Sequence, residues 1–127
     1  MSQSKHPTSP HLQIYRLPLT AVLSITHRIT GVLLAFGCVL LVCVLAAAAD
    51  SASTYQAIVP HLQSWYGQIF LVGLVFSLYL HFCNGIRHLI WDVGYGFELD
   101  TVDLTAKLVI ALAIVLTVAT WVVAGAG

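Results

Sequence analysis

Charge is nearly missing from this sequence. Of its 127 residues only 8% are Asp, Glu, Lys or Arg, where a typical soluble domain carries about 25%. A chain of this size leaves much of its surface exposed, so a soluble fold would need far more charge to cover it. Neither sign is in excess. Lys5, Arg16, Arg28, Arg87 and Lys107 stand against Asp50, Asp92, Glu98, Asp100 and Asp103. No basic patch is large enough to follow a phosphate backbone, which excludes nucleic acid as a partner. Cysteine is scarce as well. Cys38, Cys43 and Cys83 are odd in number and form no Cys-x-x-Cys pair; they read as small packing residues, not as disulfides or zinc ligands. Internal repeats and low-complexity tracts are absent. What is abundant is hydrocarbon: 59% of residues are hydrophobic and the mean hydropathy is +0.92. That excludes a soluble globular or disordered protein and predicts an integral membrane protein.

The few charges mark the ends of the spans. Ile29 to Ala49, Ser51 to Ile86 and Leu108 to Gly127 are free of formal charge. A helix needs about 20 apolar residues to cross a hydrocarbon core of about 30 Å. The prediction is an all-α protein with three transmembrane helices, at about 21–49, 62–90 and 104–125, and a surface arm over residues 1–20. Residues 49–54 and 94–100 are polar connections, and Thr101 or Asp103 is the expected cap of the third helix. Lys5, Arg16, Arg28, Arg87 and Lys107 all fall on one side, which places the N-terminus in the cytoplasm. Tyr15, Trp91 and Tyr95 would mark the inner interface; Tyr55, Trp65, Tyr66 and Trp121 the outer one. The arm lacks the apolar core of a signal peptide and contains Pro7, Pro10 and Pro18. It reads as a segment lying on the inner surface, with a bacterial inner membrane as the expected location.

Ionisable residues inside a span are costly and are functional candidates. Thr20, Ser24, His27, Arg28 and Gly31 follow one face at the inner end of the first helix. An interfacial anchor would explain Arg28 and His27, but Ser24 and Thr20 share the face and gain nothing from lipid. On the second helix lie Ser77, His81, Asn84, Gly85, Arg87 and His88. His81 and His88 share a face, with Gly85 between them. His81 sits roughly 10 Å in from the inner end. An imidazole there needs a partner, either an interhelical hydrogen bond or a metal. Gly85 removes bulk one turn away, as a flat macrocycle would require. This suits a haem, with iron on His81 and propionates toward His27, Arg28, Arg87 and His88 at the surface. No other histidine is expected at the depth of His81, so a second axial ligand would come from another chain.

Two stretches carry a family resemblance. Residues Ser24 to Gly31, SITHRITG, resemble the S-x-x-H-R-x-[S/T]-G signature of succinate dehydrogenase cytochrome b subunits. Residues His81 to Gly94, HFCNGIRHLIWDVG, resemble that family's H-x3-G-x-R-H-x3-D-x-G. Residues 9–16 are also similar to the family's N-terminal segment, with His6 standing where an arginine is usual. The resemblance covers roughly residues 7–95. It implies one of two small membrane anchors of complex II, associated with a flavoprotein that oxidises succinate and an iron–sulfur subunit that passes electrons to ubiquinone. It also implies haem b on His81, shared with the second anchor, quinone beside Ser24 and Arg28, and propionates beside His27, Arg28 and His88. Asp92 is open between a pair with Arg87, a partner contact and a helix-end role. Two other readings compete: a non-catalytic anchor or assembly subunit, and a transporter. The outer half of the first helix, Val39 to Ala49, has no polar stripe and offers no pathway to a transporter. A fumarate reductase anchor would carry similar motifs.

Overall fold

The computed structural model describes residues 16–126, and they contain helices and short connections with no strand. The helices are α1 (Leu19–Asp50), α2 (Ala52–Gln63), α3 (Trp65–Asp92) and α4 (Leu99–Ala126). Three of them, α1, α3 and α4, are long and apolar enough to cross a membrane. The expectations for the arm, including Tyr15, His6 and Lys5, lie outside the described residues.

Helix α1 begins after Pro18, whose extended backbone lets its carbonyl accept from Ala21 and Val22. Proline has no N–H to leave unpaired at that position. The helix then runs uninterrupted through 32 residues, about 48 Å. Ser51 ends it and starts the next. Its N–H donates to the Ala47 carbonyl, its backbone is extended, and its hydroxyl accepts from Thr54 N at 3.1 Å.

The predicted connection between the first two spans is therefore largely a helix, α2, of 12 residues. At about 18 Å it is too short to cross. The second span accordingly starts at Trp65, not at 62. Ser64 makes the break, extended in its backbone and capping α3 by accepting from Gly67 N at 3.2 Å. Gly67 is buried in this elbow. A Cβ there would run into the carbonyls of His61 and Leu62, so glycine is what permits the sharp α2–α3 bend.

At its other end α3 closes with Gly94 in a left-handed conformation (φ 91°). Tyr95 N donates to Ile90 O and Gly94 N to Trp91 O. This crossed pair satisfies the last carbonyls of the helix. Trp91 Nε1 then donates to Gly96 O at 3.1 Å and ties the loop back to the helix. Helix α4 starts at Leu99, with Val102 N bonded to Glu98 O. Thr101 and Asp103 lie inside the helix and neither caps it. Asp103 instead pairs with Lys107 one turn on, at 2.6 Å on the exposed surface.

Helix α3 is central and packs on both α1 and α4, which meet each other less. His27 opposite His81 and Gly37 opposite Leu74 show α1 antiparallel to α3. Arg87 bonded to Thr105 and Tyr79 to Thr120 show the same for α3 and α4. Arg28, Arg87 and Lys107 are thereby brought to one end of the bundle. The core joins Leu23, Leu80 and Cys83 to Ala106, Val109 and Ala113. Small residues on α4 let backbones approach closely, which drives helix association in lipid. Thr117 and Thr120 return their protons to the carbonyls of Ala113 and Leu116. The Tyr79 hydroxyl therefore donates to Thr120 Oγ1, at 2.7 Å. Of the cysteines only Cys83 packs in this core; Cys38 and Cys43 are exposed on α1.

Candidate functional site

The two motif faces meet between α1 and α3 at the cationic end. The His27 and His81 rings stack with centroids 3.9 Å apart and planes within 7°. His27 was not expected beside His81; the pairing of α1 with α3 brings the two rings level along the bundle. His88 lies beyond, its ring centroid 5.4 Å from that of His27 and 5.2 Å from that of Trp91.

His81 is held at one nitrogen. Nδ1 lies 3.1 Å from the His27 carbonyl and 3.1 Å from Thr30 Oγ1. A carbonyl only accepts, so Nδ1 carries the proton. The Thr30 hydroxyl donates to the same carbonyl at 2.9 Å. Nε2 then bears the lone pair and makes no hydrogen bond among the described residues. That is the tautomer a metal-ligating imidazole uses. Gly31 makes room: a Cβ there would lie 3.2 Å from His81 Cε1. Gly85 faces the His27 ring, whose Cε1 would be 3.9 Å from a Cβ on that glycine. His27 Nδ1 is buried without a hydrogen-bond partner among the described residues.

Ser24 is half-buried and Arg28 exposed, one turn apart on α1. Neither bonds to another side chain among the described residues. An arginine and a hydroxyl on one turn suit a polar, anion-accepting ligand.

Arg87 departs from expectation. It is 4% exposed and turned toward α4, away from the histidines. Nε donates to Thr105 Oγ1 and Nη2 to Val102 O, both at 3.0 Å, and Nη1 reaches Asn84 Oδ1 at 3.4 Å. Its guanidinium lies 4.0 Å above the Trp91 ring centroid. Position 87 is about 120° around α3 from His81 and about 100° from His88, so the sequence cluster divides between two faces. Asp92 is exposed and makes no ion pair with Arg87. Beside Arg87 a groove of about 280 Å³ opens between α3 and α4, walled by apolar residues such as Ile86, Ile90, Leu108 and Leu112. It lies on the far side of α3 from His81, and of its lining only Cys83 and Arg87 are titratable.

Thr30 is the residue that sequence reasoning passed over. It stands in the first motif, but its role needed the pairing of α1 with α3. The helical turn between His27 and Thr30, which puts a hydroxyl over the i−3 carbonyl, was the available signal.

The chain as a whole is similar to known proteins. The family of succinate dehydrogenase/fumarate reductase transmembrane subunits matches residues 2–120. The succinate dehydrogenase cytochrome b556 subunit of Paracoccus denitrificans is 41% identical over 123 residues, covering 97% of this chain and 95% of its own. The protein of the same name from Rickettsia prowazekii is 43% identical over 120 residues, covering 94% and 93%. The succinate dehydrogenase cytochrome b560 subunit of Reclinomonas americana is 36% identical over 122 residues, covering 92% and 85%. With three apolar spans and two facing motifs in place, this chain belongs to the succinate dehydrogenase/fumarate reductase transmembrane subunit family.

Proposed function

We propose that the chain is the membrane-anchor cytochrome b subunit of a succinate:quinone oxidoreductase. It binds haem b through His81, shares that haem with a second small anchor subunit, and helps form a ubiquinone site. A flavoprotein subunit oxidises succinate, and an iron–sulfur subunit relays the electrons to quinone. This subunit does not itself oxidise succinate. The complex sits in a bacterial plasma membrane, with the cationic end inward.

The observation that carries the reading is the His81 imidazole. Its Nδ1 proton is committed to the His27 carbonyl, and its Nε2 lone pair is free. The residues fit a haem on a second count: the buried Nδ1 of His27 lacks a partner among the described residues, beside the cluster where His27, Arg28 and His88 would hold propionates. A bound haem b would supply a one-electron store. His81 would hold the iron through Nε2. Ser24 donates a hydrogen bond to a quinone carbonyl, and Arg28 faces the negative charge that builds up during reduction. Quinone takes up two electrons and two protons. Ser24 and Arg28 orient the quinone while protons enter from the inner aqueous side.

A non-catalytic anchor draws support from Arg87, which is fully engaged in joining α3 to α4. A reduced-minus-oxidised spectrum of the purified complex separates the two. We expect a b-type α-band in the wild type and none in His81→Ala. A haem-free wild-type complex that still reduces quinone would make His81 a packing residue. A haem-free complex without quinone activity would leave only the anchor.

A further inference from the structure

We infer that Thr30 is a positioning residue for the iron ligand. Its hydroxyl and the His27 carbonyl clamp the His81 ring at Nδ1, and Gly31 gives the ring room to lie against α1 inside that clamp. The inference rests on the reading of His81 as a haem ligand.

The clamp follows from local helix chemistry. A threonine in a helix turns its hydroxyl onto a carbonyl one turn back. Here that is the His27 carbonyl, 2.9 Å away. The Thr30 proton is thereby used, and its oxygen lone pairs point outward to accept. His81 Nδ1 lies 3.1 Å from both oxygens, so its single proton is shared between two acceptors. Thr30 is 4% exposed, which keeps water from replacing the hydroxyl. Acceptors behind a ligating histidine fix its tautomer and ring plane and tune its basicity. Gly31 acts sterically: with a Cβ 3.2 Å from His81 Cε1, the ring would have to shift by a few tenths of an ångström. The two residues therefore control separate properties of one ring, its hydrogen bonding and its position.

The test uses the purified multisubunit complex, with haem content per protein and the low-spin ferric EPR signal as readouts. Thr30→Val keeps shape and removes the hydroxyl; Thr30→Ser keeps the hydroxyl. We expect Thr30→Val to shift or broaden the low-field EPR feature, because a ring with one acceptor samples more orientations, and to lower haem content several-fold. Thr30→Ser should match the wild type. Gly31→Ala should move the EPR feature with the hydroxyl intact. If Thr30→Val does not assemble, Thr30→Ala is read in its place. Wild-type haem content and EPR in the hydroxyl-free variant would overturn the inference. So would a Thr30→Ser variant as altered as Thr30→Val, because the effect would then belong to the methyl group. His81→Ala, run alongside, isolates the parent reading: if it keeps wild-type haem, the assignment of His81 has failed, whatever Thr30 does.

Discussion

At the scale of single residues, arginines with the same charge have different work. Arg87 is buried without a carboxylate among the described residues, and three of its nitrogens reach Thr105, Val102 and Asn84 while its face covers Trp91. A lysine keeps the charge but not the fork or the flat face. Arg87→Lys should therefore destabilise the α3–α4 contact by about 2 kcal/mol, the range for hydrogen bonds to a charged group. The check is a lowered melting temperature of the solubilised complex with an unchanged haem spectrum, since Arg87 faces away from His81. Arg28 is exposed, so Arg28→Lys should leave stability alone. If it contacts quinone, the same range of about 1.5–3 kcal/mol corresponds to a roughly 10–100-fold loss of quinone reductase activity. Ser24→Ala should act in the same direction with the haem spectrum intact, and wild-type turnover in both would remove them from the quinone site. The sequence made some of this readable. The facing of Ser24, His27 and Arg28 on one helix and of His81 and His88 on another follows from helical periodicity. The side of α3 taken by Arg87, the pairing of His27 with His81 and the part played by Thr30 depend on how two helices slide past each other, which spacing within one helix does not encode.

At the scale of elements, the three spans were legible because each is a long uncharged run, and the boundaries moved by only a few residues at most ends. Helix α2 was not. Its Pro60, His61 and Gln63 have the composition of a loop, and what turns that stretch helical is Ser51 capping it and packing against α1 and α3. The start of α4 was misplaced for a related reason: Thr101 and Asp103 look like caps, yet the helix begins earlier at Leu99. The α2–α3 elbow makes a specific demand on residue type. Gly67→Ala would set a methyl group against the carbonyls of His61 and Leu62, and backbone cannot swing aside as a flexible side chain would. We expect overpacking on the order of 1–3 kcal/mol, relieved by opening the elbow. Limited proteolysis around residues 61–66 should then cut faster in Gly67→Ala than in the wild type. Gly73→Ala serves as the control, because a Cβ there meets nothing within 4 Å and should leave the cleavage rate unchanged.

At the scale of the whole molecule, the antiparallel path of α1, α3 and α4 gathers Arg28, Arg87 and Lys107 at one end, while the Ser51 and Ser64 caps lie at the other. Cationic residues flanking spans are retained on the cytoplasmic side. That end also carries His27, His81 and the Ser24–Arg28 turn, so the orientation decides which side of the membrane the candidate site faces. In the proposed complex, an iron–sulfur partner delivering electrons from a soluble flavoprotein has to approach from that same side. The proposal therefore requires the loop between α3 and α4 to be inside and α2 to be outside. Two cysteine substitutions at exposed positions test this, Ser53→Cys in α2 and Glu98→Cys before α4, both polar sites in the wild type. The native cysteines lie within α1 and α3, where a charged maleimide in lipid-bounded cells has little access. In intact spheroplasts the membrane-impermeant reagent should label Ser53→Cys and not Glu98→Cys, and permeabilisation should expose the second. The opposite pattern would put the histidine cluster at the outer surface, leaving a cytoplasmic iron–sulfur subunit no short route to it, and the quinone-reducing role would fall with the orientation.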